Sequence, residues 1–347
     1  MAMTQTAASR RMFLKTALAG GLGAAGAMHV PCLAAAAEGT PAKSPSRVAL
    51  TAGNDRAQNV SRGLKAFEQE IAQAIGDRRV VIKPNNVSID NQLAATHADC
   101  LEGILEFLKS IGKVSQAVIA ESAAHGSTLE GFANSGYPRG AAKYGVKLVD
   151  LDQEPHEVVQ VLDETDFRPH PVRMSRLLLD RNSFLISAAN IKTHELVVAT
   201  LSLKNIIFGA PIKKDWDSDK PIAHGGGIRG INYNLFALAQ RLHPHLAVID
   251  GYEGMEGQGP TNGTPVAHRV CVVGTDWLAA DRVAVALMGI DFAKIGYLNY
   301  CAEAGLGEGN LKKIEIVGPP LKEHVKTYEL APNIEEQLIW MKPPRYL

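Results

Sequence analysis

The sequence predicts an α/β protein whose mainly parallel sheet is covered by helices on both faces, with its site at the C-terminal ends of the strands. Three observations predict this. Short β-branched runs alternate with apolar stripes of helical period along most of the chain, which is the habit of βαβ units. Runs such as Val80-Val81-Ile82 are apolar throughout, as strands buried on both faces are. Several of these runs stop in residues that hydrogen-bond or react.

The elements follow in order. Val48-Ala49-Leu50 reads as a first strand, and Leu64, Phe67, Ile71 and Ile75 recur at helical spacing up to Gly76. Val80 to Ile82 is a strand ending in Lys83-Pro84-Asn85-Asn86. Leu101, Ile104, Leu105, Leu108 and Ile111 form a helical stripe stopped by Gly112, with Thr96 as a candidate cap before it. Ala117 to Ala120 ends in Glu121-Ser122, and Leu148-Val149 ends in Asp150. Phe184-Leu185-Ile186 runs into Asn190-Ile191-Lys192-Thr193-His194. Ala247-Val248-Ile249 runs into Asp250, and Val270 to Val273 runs into Asp276 at the head of a helix to Met288. Ile314 to Val317 is a late strand. Lys213 to Arg229 is polar and Gly-rich and reads as a long loop, the kind that serves as a lid or binding loop.

Ser9-Arg10-Arg11-Met12-Phe13-Leu14-Lys15 carries the twin-arginine export signature, followed by an Ala/Gly-rich stretch and Ala35-Ala36-Ala37 as a cleavage site. The expected organisation is a signal peptide over 1–37, a flexible leader over 38–46, one α/β domain or two lobes over 47–318, and a C-terminal tail over 319–347. The mature form is expected outside the cytoplasm, periplasmic or extracytoplasmic, with the twin-arginine translocase as its partner during export and no membrane anchor. Removing three of the 36 basic residues against 36 acids leaves a net charge near −3. With no basic tract interleaved with aromatics, nucleic acid is excluded as a partner. Cys100, Cys271 and Cys301 have no C-x-x-C spacing, which excludes a cysteine-built cluster.

The strand ends carry the chemistry, because ligands of open parallel sheets bind outside the carboxyl ends of the strands. Lys192, His194, Lys204 and Glu121 are the candidate catalytic residues. Lys204 follows an apolar run, so burial is expected to lower its pKa and free its amine as a base or nucleophile. Lys83, Asn85, Asn86, Asn190 and Asn205 are candidate ligand-binding residues, joined by His224 in the loop. Asp250, Glu253 and Glu256 lie in a Gly-rich acidic stretch, read as a loop, and suit a hydroxyl-bearing ligand, a hard cation or proton transfer. A metal is left open, with His125, His194 and His224 as candidate ligands, although no H-E-x-x-H marks a site and His243-Pro244-His245, at a helix end, reads as structural. There is no P-loop, no G-x-S-x-G elbow and no G-x-G-x-x-G after the first strand. Two classes remain: an enzyme on a small polar or anionic ligand, or a non-catalytic binding protein with the same cleft.

Val81-Ile82-Lys83-Pro84-Asn85, Asn190-x-Lys192-Thr193-His194, Leu203-Lys204-Asn205, Asp250-Gly251 and Glu256-Gly257-x-Gly259-Pro260 resemble the domain of unknown function 362 family. So do Asp276-x-x-Ala279-x-Asp281 and Gly305-Leu306-Gly307, over 48–318 in all. Members are often exported by the twin-arginine route or fused to a ferredoxin-like domain, and this chain has too few cysteines for the fused type. The resemblance implies no settled activity. More distantly, the chain is similar to lactate racemase and its relatives, which hold a nickel-pincer cofactor on a lysine. His194 with Lys204 ten residues on, and His125 after an earlier strand, carry that likeness, though Leu201-Ser202-Leu203-Lys204 lacks the glycines of that family's lysine segment.

Overall fold

A computed structural model describes residues 45–214 and 217–343, which belong to one compact unit. The twin-arginine motif, the cleavage site and most of the leader lie outside the described residues. The chain opens with β1 (Ser46–Ala52), α1 (Arg56–Lys65), α2 (Glu68–Ile75), β2 (Arg79–Pro84), α3 (Ala98–Ser110) and β3 (Ala117–Glu121). It continues through α4 (Thr128–Asn134), α5 (Tyr137–Tyr144) and β4 (Lys147–Asp150) to a hairpin of β5 (His156–Asp163) and β6 (Arg168–Ser175). Next come α6 (Arg176–Leu179), β7 (Ser183–His194), β8 (Val198–Thr200) and α7 (Ser202–Gly209). A small ribbon of β9 (Lys213–Lys214) and β10 (Asp217–Ser218) leads to α8 (Lys220–Ala223) and α9 (Ile228–Ala239). The last part holds β11 (Leu246–Glu256), β12 (Thr264–Gly274), α10 (Trp277–Leu287), α11 (Gly296–Glu303), β13 (Ile314–Val317) and α12 (Ile334–Gln337).

The main sheet runs β13-β1-β12-β11-β7-β2-β3-β4, with β8 added to β7. Pairing is parallel from β11 through β7, β2 and β3 to β4, and again between β1 and β13. Only β12 runs against its neighbours along that path. The fold is therefore the expected α/β class with a mainly parallel, mixed sheet. Alternate residues of each strand feed opposite cores. Ala49, Val80, Ile82 and Val248 pack with Val60, Ile71, Ile104 and Tyr137 under α1, α2, α3 and α5. Leu50, Val81, Leu185 and Ile249 pack with Ile206, Leu235, Val283 and Leu298 under α7, α9, α10 and α11. Coverage on both faces explains why the strands read as unbroken apolar runs.

Four local expectations change. The stripe from Leu64 to Ile75 belongs to two helices, α1 and α2, separated at Ala66–Phe67. Asp250 to Pro260 is not a loop from its start: β11 continues to Glu256 and pairs with β12, with a bulge between Gly251 and Glu253. Lys213 to Arg229 contains β9, β10, α8 and the start of α9. It is pinned by Asp219, which accepts from Arg173 Nε at 2.9 Å and Nη2 at 2.7 Å. Thr96 is not the cap of α3. His97 is, through Nδ1 to the Asp99 amide, while the Thr96 hydroxyl accepts from the Asn85 amide and donates to the Ala188 carbonyl.

The tail braces the site from outside. Gln337 Oε1 accepts from the Val198 amide at 2.7 Å, and Asn333 Nδ2 donates to the Glu195 carbonyl at 2.8 Å. These bonds hold the bend between β7 and β8, where Val198 has φ 68°. Among the described residues no helix is long and apolar enough to cross a membrane, and the three cysteines are free and buried.

Candidate functional site

Parallel β2, β3 and β7 end at one edge of the sheet, and α7 lies across that edge. The first two amides of α7, Ser202 and Leu203, donate to the buried Asp281 carboxylate at 2.9 and 3.2 Å. That cap fixes the first turn of α7, which carries Lys204 and Asn205. Burial pushes the Asp281 carboxyl up to about 7, so the cap titrates near neutrality.

Between this edge and the 217–224 segment is a cavity of about 560 Å³. Its wall takes Asn85 and Asn86 after β2, Glu121 and Ser122 after β3, and His194 at the end of β7. α7 contributes Lys204, Asn205 and Phe208, and the opposite side contributes Ser218, Lys220 and His224. The exposed His125 stands at the rim.

Beneath the floor lies a buried ion pair. Lys83 Nζ donates to Glu121 Oε2 at 2.6 Å, to Asn205 Oδ1 at 2.9 Å and to its neighbour's carbonyl, Pro84 O, at 2.9 Å. Burial lowers the Lys83 ammonium and raises the Glu121 carboxyl, and their contact opposes both shifts. Asn205 completes the frame by donating to the Lys83 carbonyl at 3.1 Å and to Ser187 Oγ at 3.0 Å.

Two imidazoles face the cavity as neutral groups. The Leu196 amide donates to His194 Nδ1 at 3.0 Å, so His194 carries its proton on Nε2. His224 Nδ1 lies 2.6 Å from the Lys220 carbonyl and carries its proton there. Burial holds His194 well below the usual imidazole value, helped by the ammonium groups of Lys204 and Lys192. Burial and Lys204 bring His224 down to about 4. Lys204 has no hydrogen bond or ion pair among the described residues. Its Nζ stands 5.1 Å above the Phe208 ring, on which His224 also stacks with ring centroids 4.5 Å apart. Burial lowers the Lys204 ammonium to about 7, against the pull of Glu195.

The remaining sequence candidates are elsewhere. Asn190 and Lys192 face the segment after Asn91, donating to the Leu93 and Ala94 carbonyls at 3.0 Å each, and do not border the cavity. Asp250 pairs with Arg56 Nε at 3.1 Å. Glu253 is exposed, and Glu256 accepts from the Glu329 amide. Asp250 and Glu253 therefore do not partner the lysines of the cavity, and Glu121 is already taken by Lys83. Asp276 belongs to the opposite edge, because β12 is antiparallel; it accepts from Ser46 Oγ at the start of β1, at 2.6 Å. The candidate metal ligands His125, His194 and His224 all border the cavity. Among the described residues, however, no three His, Cys, Asp or Glu side chains are grouped to hold a metal. Lys220, Thr200 and Phe208 are cavity residues the sequence did not single out, and Ser122 was marked there only as a strand end. Lys220 sits in the stretch read as a loop, and only its nearness to His224 pointed to it.

Compared with known families, residues 80–286 match Domain of unknown function (DUF362). The chain belongs to this family. The DUF362 region runs from β2 into α10 and so contains every residue of the cavity wall. Among curated proteins, a thylakoid-associated protein of Synechocystis sp. is 23% identical over 224 residues, 63% of this chain and 65% of that protein, so the likeness spans less than two thirds of the relative's length. Among solved structures, a Thermotoga maritima protein is similar at a TM-score of 0.40 and 15% identity, over 68% of this chain and 60% of that one. The likeness to lactate racemase is not shown by these matches.

Proposed function

We propose that this DUF362 protein is an enzyme acting on a small anionic substrate held in the cavity, with Lys204 as its reacting amine. The observation that carries the reading is the Lys204 amine itself, which faces the cavity with no partner among the described residues and with two neutral imidazoles close by. An amine whose pKa is about 7 is largely unprotonated just above neutrality, ready to take a proton or attack a carbonyl. His194, with its proton on Nε2, is the complementary donor. Glu121 is neutralised by Lys83, so the cavity suits an anion more than a cation.

The test is chemical. In full-length protein treated with limiting acetic anhydride at pH 7.5, Lys204 should acylate roughly tenfold faster or more than the exposed Lys312, because burial lowers its ammonium to about 7 and leaves much of its amine neutral. Labelling of Lys204 at or below the Lys312 rate removes the reacting amine from the proposal.

A second reading is favoured by one observation: His125, His194, His224 and Lys204 border the same cavity. A nickel-pincer-type cofactor joined to the Lys204 amine, with an imidazole on the metal, is compatible with that set. Such a group would supply hydride chemistry, and racemisation or epimerisation would follow. A non-catalytic binding protein would use the same wall without a perturbed amine. Metal analysis with native mass spectrometry of the exported protein separates the three readings: metal with added covalent mass, non-covalent ligand alone, or neither.

The Ser9–Lys15 motif supports export by the twin-arginine translocase to the periplasm or another extracytoplasmic space. Changing both arginines, Arg10→Lys with Arg11→Lys, should leave the unprocessed chain in the cytoplasm, as read by fractionation and intact mass. Unchanged processing and export of this variant would exclude the route.

A further inference from the structure

Lys220 is the cavity residue for which the reaction above has no use. It is 7% exposed, and its Nζ has no hydrogen-bond partner among the described residues. Leaving an ammonium buried and unpaired is costly, so its neighbours need a count. The charges that act on it are Glu121, Asp152, Lys83 and Lys213. Glu121 is held by Lys83 at 2.6 Å, and Asp152 by Lys213 at 2.6 Å and by Ser122 Oγ at 2.6 Å. Both carboxylates are spent on other lysines, and the third ammonium has no counter-charge. The same cavity wall carries further unpartnered atoms: both polar atoms of the buried Asn86 amide, and Thr200 Oγ1. A buried surplus cation beside unpartnered amide and hydroxyl groups is complementary to an oxyanion.

We propose that Lys220 is the anchor of an oxyanion subsite, and that the substrate's carboxylate or phosphate docks there at a distance from Lys204. This rests on Lys204 being the reacting amine. The two lysines come from different elements: Lys204 on α7 stands with its Nζ over the Phe208 ring, and Lys220 on α8 holds, through its carbonyl, the His224 ring stacked on Phe208. Both lysines border the cavity and act on the His224 ring. The substrate therefore carries its anion at one end and its reacting centre at the other. Lys220 becomes the residue that selects for charge.

The test is calorimetric titration of the full-length protein with inorganic phosphate and with malonate near pH 8.5, in two buffers of different ionisation enthalpy. At least one oxyanion should bind with proton uptake, because pairing restores charge to an ammonium that burial lowers to about 8. Phosphate alone marks a phosphate-bearing substrate, and malonate alone a carboxylate. Lys220→Met should lose at least about tenfold in affinity, together with the proton uptake, while Lys204 still acylates fast. Lys220→Gln, which keeps a polar group, should behave the same way and guards against a folding artefact. Binding unchanged in both variants, binding without proton uptake, or no binding of either anion overturns the subsite. If Lys204 labels fast in that last case, the reacting amine stands and the anchor falls. If Lys204 labels slowly while binding still depends on Lys220, the anchor stands and the reacting amine falls.

Discussion

Lys204→Met is expected to leave the protein folded, raise its thermal midpoint near neutral pH and abolish the fast-acylating amine. The wild-type side chain is 7% exposed, makes no hydrogen bond among the described residues, and has its pKa lowered from 10.5 to about 7 by burial. Each unit of such a shift corresponds to about 1.4 kcal/mol, so the buried amine costs stability that methionine, of similar length, does not. Part of the penalty is relieved through the cavity and by Glu195, and a gain on the order of 2 kcal/mol is expected. The pH dependence follows from linkage. The folded pKa lies below the unfolded one, so between about 7 and 10.5 the unfolded chain binds a proton that the folded chain does not. Wild-type stability therefore rises with pH through that window from this group. The advantage of the variant is full below about pH 7 and fades towards 10.5. Urea midpoints of both proteins at pH 6.5, 8 and 9.5 measure it. A variant less stable than wild type by several kcal/mol at every pH would make Lys204 a structural partner.

How much of this was legible depends on what periodicity encodes. Unbroken apolar runs marked β1, β2, β3, β7, β11 and β12, because both faces of these strands are buried. Reactive strand ends marked the sheet edge at which Lys83 meets Glu121 and beside which His194 borders the cavity. Periodicity does not encode strand direction, however. Val270 to Val273 looks like the other strands yet runs the opposite way, which sends Asp276 to the far edge. The β5–β6 hairpin escaped notice because only scattered residues of it, such as Val161, Val172 and Met174, are buried, and polar residues between them leave no apolar run. Arg173 of that hairpin holds Asp219, next to Lys220, so missing the hairpin also hid what orders the lid-like segment. Asp250 was drawn into the site by its strand end, but Arg56 reaches it from α1, and a long-range partner of that kind leaves no local trace. Alternation along β7 groups Asn190 with Lys192 and His194, but Asn190 and Lys192 are spent on the Leu93 and Ala94 carbonyls and only His194 of the three borders the cavity.

Lys83→Met is expected to cost about 3–5 kcal/mol, the usual consequence of removing one partner of a buried pair. Lys83 is fully buried, and its ammonium satisfies Glu121, Asn205 and the Pro84 carbonyl at once. Without it the Glu121 carboxylate is left in a site where burial already raises its pKa. The folded carboxyl then binds a proton at a higher pH than the unfolded one. The deficit is therefore largest near neutrality and shrinks as acid protonates Glu121 in the folded state. Adding Glu121→Gln removes the unpaired charge, so the double variant should recover more than half of the loss. A mutation on α7 should act through the same pair. A Cβ on Gly209 would lie 1.8 Å from Lys83 Cε and 2.1 Å from its Nζ. The lysine would have to leave its three acceptors, so Gly209→Ala should destabilise the fold and, combined with Lys83→Met, add little further loss. Urea unfolding at pH 7.5 and pH 5 reads all four variants. A Lys83→Met loss under about 1 kcal/mol, or a double variant no better than the single, would mean that the pair is solvated and does not frame the cavity.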